Sequence, residues 1–221
     1  MKTLIAGILA MAAIVVASNI LVQHTFGAYL TYGAFTYPLS FLVNDIINRL
    51  AGVKAARRVV LAGFVVGLAC SFIGTQLHND YGPLVTLRVA LGSGTAFLVG
   101  QLLDVTIFDR LRRAEWWRAP LVSTLIGSTI DSVIFFTIAF AASLTFLEPS
   151  SDMSWAAVSG PLLDDWTDPA LSLFPWTLIY VPIVPLWVSL AVADWCVKFG
   201  IALFGLLPFR LIFAKFSIRV A

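Results

Sequence analysis

Charge is scarce in this chain of 221 residues: Asp, Glu, Lys and Arg together make up 12%, against 60% hydrophobic residues and a mean hydropathy of +0.94. That balance excludes an ordinary soluble domain and indicates an integral membrane protein. Cysteine and histidine are nearly missing as well. Cys70 and Cys196 each sit inside an apolar run and read as small buried hydrophobes rather than a disulfide, and with only His24 and His78 beside them there is no ligand cluster for a metal. The sequence has no GxGxxG, Walker loop, HExxH pair or nucleophile elbow, and its Ser, His and Asp residues lack a triad-like context, so neither a cofactor nor catalysis is expected. Repeated rings and a filter-like loop are also lacking, which argues against a pore. The net charge of +2 does not signal nucleic acid, because the basic residues are spread in a topological pattern rather than gathered in a patch.

That pattern is the strongest feature present. Of the fourteen Lys and Arg residues, all but Arg88 and Lys198 fall where a six-span protein with both ends inside would place its cytoplasmic segments. Lys2 precedes the first apolar run; Arg49, Lys54, Arg57 and Arg58 surround the second gap; Arg110, Arg112, Arg113 and Arg118 the fourth; Arg210, Lys215 and Arg219 close the chain. The gaps at 24–29, 78–83 and 147–173 hold no Lys or Arg, and Asp152, Asp164, Asp165 and Asp168 lie in the last of them. The expected fold is all-α, a single integral membrane domain over 1–221, with spans at about 3–22, 31–50, 58–77, 84–107, 119–146 and 184–208. Each is near or above the ~20 residues that cross ~30 Å of hydrocarbon, where backbone groups must be bonded internally. The first run is too long for a signal-peptide core of about 7–15 residues and reads as span one. The apolar stretch from Leu171 to Leu211 is too long for one span; Pro175, Pro182 and Pro185 interrupt it, so 174–185 is expected to be an interfacial or re-entrant piece of an outer segment covering 147–185. The polar part of that segment, 148–169, reads either as a solvated connector or as a lid over an outward-facing site.

Polar side chains inside spans carry the functional information, because each costs several kcal/mol in hydrocarbon unless it meets a partner or a wet cavity. They are Asn19, Asn44, Asp45, Gln101, Asp104, Asp131, Asp194 and Lys198, with Arg88 near an outer end. Asp194 and Lys198 are spaced i to i+4 and can neutralise each other, and Asp45 with Arg49 repeats the spacing near the inner end. Asp131 lies about 18 Å into its span at about 1.5 Å per residue, with no basic residue within a turn. It must find a partner on another helix, take up a proton, or meet a ligand. Gln101 and Asp104 form a second inward polar face, while Gly63 with Gly67, and Gly92 with Gly94, suit close helix packing. Trp116, Trp117, Trp155, Trp166 and Trp176 fit interfacial belts; Tyr32, Phe35, Tyr37, Phe41, Phe135, Phe136 and Trp195 are candidates to sandwich a planar ligand. Pro38 within span two should kink it and free the carbonyl of Ala34. A polar, aromatic interior of this kind suits the binding and translocation of a small polar solute.

Four segments, TYGAFTYPLSFLVNDIINR (31–49), RVALGSGTAFLVGQLLDVTIFDRLRR (88–113), STLIGSTIDS (123–132) and DWCVKFGIALFGLLPFR (194–210), resemble the queuosine precursor transporter family of bacterial inner-membrane proteins. The resemblance covers about five of the six spans and rests most on Asp45 with Arg49, GQLLDV at 100–105, and Asp194 with Lys198. It implies uptake of 7-cyano- and 7-aminomethyl-7-deazaguanine, and a fold similar to the substrate-binding components of vitamin transporters. The segment 147–173 is longer and more acidic than the family pattern. A 7-deazaguanine presents an N1–H and an exocyclic amine that a carboxylate accepts in bidentate fashion, and a carbonyl oxygen that needs a donor. Asp131 or Asp194 fits the first role, Lys198, Gln101 or Asn19 the second, and Phe35, Phe136 or Trp195 stacking. Asn44, Asp45, Arg88 and Asp104 complete the candidate binding set. Preference between the two bases, energy coupling and homo-oligomerisation stay open. Two rivals remain: a subunit of an ATP-driven importer, for which Ala51, Gly52, Ala55 and Ala56 would form a docking surface, and a non-transporting scaffold or an enzyme of lipid or heterocycle chemistry.

Overall fold

The computed structural model describes residues 1–80, 82–163 and 182–217, with side chains through 212. Its long helices are α1 (Lys2–Leu21), α4 (Val53–Gln76), α5 (Leu87–Leu111), α6 (Arg118–Phe140) and α7 (Leu186–Ser217), and a broken pair, α2 (Tyr32–Thr36) and α3 (Leu39–Ala51), lies between α1 and α4. Three small antiparallel hairpins join them: β1 (Thr25–Phe26) with β2 (Leu30–Thr31), β3 (His78–Asn79) with β4 (Gly82–Pro83), and β5 (Ser159–Pro161) with β6 (Ile183–Pro185). The first strand of each hairpin falls in one of the three gaps that hold no Lys or Arg. The opposite ends of the helices meet in a basic cluster: Arg49 Nη1 donates to the carbonyl of Arg112 at 2.6 Å, Arg112 Nη2 to Asn48 Oδ1 at 2.9 Å, and Arg210 lies 5.1 Å over the Trp116 ring.

Among the described residues, five helices are long and apolar enough to cross a membrane. Their outward faces explain why. On α4, Leu61, Val65, Leu68 and Phe72 recur every three or four residues and are all exposed; Ile5, Leu9, Val16 and Ile20 on α1, and Leu203, Phe204, Leu207 and Leu211 on α7, are exposed as well. A helix in water would turn a charged stripe outward, so an apolar one marks a lipid-facing surface. The chain is a multi-pass membrane protein.

Span two differs from the expected single helix over 31–50. Pro38 has no N–H for the Ala34 carbonyl, the helix stops at Thr36, and α3 restarts at Leu39 through Ser40 N–H to Tyr37 O and Phe41 N–H to Pro38 O bonds. With 13 residues, α3 covers only about 20 Å at 1.5 Å per residue. It is also the most polar of these helices, for a reason of position: it packs against α1, α4, α5, α6 and α7, so its neighbours are protein rather than lipid. Ser40, Asn44, Asp45 and Asn48 are accordingly buried.

Other boundaries move too. Helix α4 begins at Val53 rather than 58, α5 at Leu87 rather than 84, and α6 ends at Phe140, followed by a 3₁₀ turn over Ala142–Leu147. Pro208 does not end α7, which continues to Ser217 with Phe209 buried against Phe108. Cys70 is half-buried and Cys196 exposed, so both thiols lie at the outer surface rather than in the core. Ala56 is fully buried beside Val59, Val60 and Met11, which removes it from any docking surface. Trp155 packs edge-on against Phe140 at 5.5 Å, closing the end of α6. Trp166, Trp176, the acidic residues Asp164, Asp165 and Asp168, and nearly all of the piece expected at 174–185 lie outside the described residues.

The pair α5 and α6 forms the tightest contact in the bundle. A Cβ on Gly100 would stand 2.8 Å from Asp131 Cβ and 3.0 Å from the Gly127 carbonyl, and one on Gly127 would stand 2.9 Å from the Gly100 carbonyl. Only glycine permits this approach, and it draws Gln101 and Asp104 of α5 level with the polar face of α6.

Candidate functional site

Ser123, Thr124, Gly127, Ser128, Asp131 and Ser132 recur at helical spacing and are buried together on α6. This stripe of small and polar residues faces α5 and α3 at one level and α7 at another. Two clusters result.

The first is a charged triad. Lys198 Nζ lies 2.6 Å from Asp131 Oδ2 and 2.6 Å from Asp194 Oδ2, so the mid-span carboxylate of Asp131 finds its partner on another helix, 67 residues away. Tyr37 donates to Asp131 Oδ1 at 2.7 Å, Ser132 donates to Asp194 Oδ2 at 2.8 Å, and Lys198 Nζ also reaches Ser132 Oγ at 2.8 Å. The ammonium lies 5.2 Å from the centre of the Tyr37 ring, a cation–π contact. Side-chain exposure is 4% for Lys198, 3% for Asp131 and 14% for Asp194. Two carboxylates and one ammonium leave a formal charge of −1 away from water, which only hydrogen-bond donors, a proton or a cationic group can offset.

Trp195 borders the triad: its Nε1 donates to Thr129 Oγ1 at 2.8 Å, and its ring lies parallel to Phe199 with centroids 5.7 Å apart. Phe136, one turn beyond Ser132, is buried in an edge-on cluster with Phe135.

The second cluster lies about 10 Å along α6 toward the basic end, seven residues at about 1.5 Å each. Asp45 accepts from Ser123 at 3.3 Å and from Thr124 at 3.1 Å; Thr124 Oγ1 is also 3.5 Å from Asp104 Oδ1, and Asn44 Nδ2 donates to Asp104 Oδ2 at 3.1 Å. Gln101 Nε2 donates to Ser40 Oγ at 2.7 Å. Among the described residues no ion pair reaches Asp45 or Asp104. The i to i+4 pairing expected for Asp45 and Arg49 is not formed, because Asp45 turns to α6 while Arg49 reaches the end of α5.

Three candidates stand apart. Arg88 is fully buried, but its Nε and Nη2 donate to the carbonyls of Ile138 at 3.0 Å and Ala141 at 2.7 Å, so it caps the end of α6. Asn19 donates to Val15 O of its own helix, and Phe35 is exposed, edge-on to Phe26. Asn44, Asp45, Gln101 and Asp104 belong to the second cluster. Tyr37 and Ser132 join the triad as hydrogen-bonding residues that spacing alone did not single out for that role.

Long lipid-facing helices enclosing a buried, net-charged polar core define a multi-pass membrane protein. Residues 31–213 match the family described as "Putative vitamin uptake transporter", and the chain belongs to that family, one of transporters and not of enzymes. It is 37% identical over 141 residues to a protein of Escherichia coli K12 named queuosine precursor transporter, covering 58% of this chain and 64% of that protein. It is 32% identical over 168 residues to a probable queuosine precursor transporter of Haemophilus influenzae, covering 71% of this chain and 68% of that one. A third, the probable queuosine precursor transporter of Bacillus subtilis 168, is 31% identical over 148 residues, covering 57% and 64%. The chain thus spans just under two thirds of the length of the first and third relatives. No solved structure matches it.

Proposed function

We propose that this protein imports queuosine precursors, 7-cyano- and 7-aminomethyl-7-deazaguanine, across the bacterial inner membrane. In this reading α2 and α3 act together as the second of six spans, both termini are cytoplasmic, and the hairpin ends face outward. The relatives' names and the basic cluster at one end of the bundle support it.

The observation that carries the assignment is the triad. A deazaguanine offers two adjacent N–H donors that suit the acceptor-rich Asp131 and Asp194 pair, and a carbonyl that suits the Lys198 ammonium. Trp195 and Phe136 are the stacking residues nearest to hand. Because Lys198 is bonded to both carboxylates, the base is read only when the ammonium releases one of them, and the incoming donors then take its place.

Reconstitution of the purified chain alone in liposomes tests this directly. Radiolabelled 7-aminomethyl-7-deazaguanine should accumulate faster than in protein-free vesicles, unlabelled 7-cyano-7-deazaguanine should compete, and Asp131→Asn should abolish uptake at unchanged abundance. Uptake by Asp131→Asn equal to wild type would remove the triad from the substrate site. Uptake only when an ATP-hydrolysing module is added would replace a solitary transporter by a substrate-binding subunit.

A further inference from the structure

The second cluster is poor in donors. The carboxylates of Asp45 and Asp104 present four oxygens, and among the described residues the donors around them are one hydroxyl each from Ser123 and Thr124 and the amide of Asn44. Ser123 also lies 3.3 Å from the Pro120 carbonyl and Asn44 Nδ2 3.3 Å from the Gln101 carbonyl, so even these donors are divided. Two more acceptors are fully buried without any partner: Asn44 Oδ1, on the same amide that holds Asp104, and Gln101 Oε1, one turn before Asp104 on α5. Buried acceptors in native proteins are almost always satisfied. Carboxylate and amide oxygens are thus gathered at one level of α3 and α5, and among the described residues neither a cation nor enough hydrogens accompany them. Beside Asp45 and Thr124, between α3, α6 and α7, is a cavity of about 20 Å³ whose other walls are apolar, among them Pro38, Leu42, Ile201 and Leu206. That is room for one water-sized particle.

We propose that Asp45, Asp104, Asn44, Gln101 and Thr124 form a binding site for a sodium ion. One proton adds one donor and leaves the other unpartnered amide oxygen as it was; a hard cation is ligated by several carboxylate, amide and hydroxyl oxygens at once, and the cluster supplies only oxygen. The site is separate from the triad but is joined to it twice: α6 carries both Thr124 and Asp131, and Tyr37 lies at the Pro38 break immediately before α3, the helix of Asp45. An ion that fixes α3 against α6 therefore fixes the Tyr37 bond to Asp131. Sodium thereby couples to the solute site through a shared joint. The coupling half of this inference rests on the transport reading above; the binding half does not.

The purified protein is melted in sodium, potassium and choline chloride at equal ionic strength and fixed pH. Sodium should raise the midpoint in a saturable way that potassium and choline do not reproduce. Asp104→Asn should remove the effect, and Thr124→Val, which keeps shape and charge but removes one oxygen, should shift half-saturation to several-fold higher sodium; Thr124→Val carries the test if Asp104→Asn does not fold. Equal midpoints in the three salts, a shift that follows pH alone, or a sodium effect retained in Asp104→Asn overturns the site. Sodium stabilisation without any deazaguanine uptake upholds the site and sinks the transport reading. Uptake as fast from choline as from sodium overturns the coupling.

Discussion

Removing the cation of the triad and removing one of its carboxylates should have unequal consequences. Lys198→Met takes the formal charge from −1 to −2 and leaves Asp131 and Asp194 supported only by the Tyr37 and Ser132 hydroxyls, with side-chain exposures of 3% and 14%. Breaking a buried pair in this way costs about 3–5 kcal/mol. Asp131→Asn instead leaves Lys198 paired with Asp194 at a net charge of zero and loses one charge-assisted contact, an expected loss of about 1–2 kcal/mol. In a chain of this size about 1 kcal/mol corresponds to roughly 2–4 °C, so Lys198→Met should lower the melting midpoint by about 6–20 °C and Asp131→Asn by less than about 8 °C. The combined variant Lys198→Met, Asp131→Asn, Asp194→Asn carries no charge and should recover most of the loss. Thermal unfolding of the purified proteins in one detergent, followed by intrinsic tryptophan fluorescence, reads all three. An Asp131→Asn midpoint as low as that of Lys198→Met, or no recovery in the triple variant, would refute the charge arithmetic.

Reporters fused after Ala221 and within the segment from Arg49 to Arg57 should both report the cytoplasm, and one near Asp152 the outside; an external signal at the C-terminus would sink the six-span reading. Gly100→Ala should destabilise the bundle by about 1–3 kcal/mol, because its methyl meets Asp131 Cβ at 2.8 Å, and wild-type abundance and melting would show that α5 and α6 are not locked there. Arg88→Ala should lose on the order of 3 kcal/mol by stripping the Ile138 and Ala141 carbonyls of their donors, with substrate affinity unchanged in the protein that remains folded; a selective loss of affinity would return Arg88 to the binding site.

Helices α1, α4, α5, α6 and α7 were legible because each faces lipid and must advertise it in a long apolar run. The second span at 31–50 and a distortion at Pro38 were legible too, but not that the break is complete and leaves a short α3 among other helices, where composition follows hydrogen bonding rather than solvent. The same limit applied to the triad. The spacing of Asp194 and Lys198 is local and visible, whereas the partner of Asp131 depends on how α6 and α7 meet. The clue that could have found more was the string Ser123, Thr124, Gly127, Ser128, Asp131 and Ser132, whose three- and four-residue intervals mark one polar face of an otherwise apolar helix. The structural partners of Arg88 were not legible, because a buried charge resembles a ligand site until the carbonyls at the end of α6 are in view.

Helix α7 carries Asp194, Trp195 and Lys198, yet only 11% of its most apolar window is buried, against 44% for α5 and 39% for α6. It is attached to α6 largely by polar pins: Lys198 to Asp131 and Ser132, Asp194 to Ser132, and Trp195 to Thr129. Any solute that satisfies Asp131 withdraws one of those pins as it binds. On the transport reading proposed above, recognition of the solute and loosening of α7 from α6 are then a single chemical event: a compound too poor in donors to displace the ammonium should leave the pins in place, and one that engages the carboxylates without freeing Lys198 should act as an inhibitor rather than a cargo.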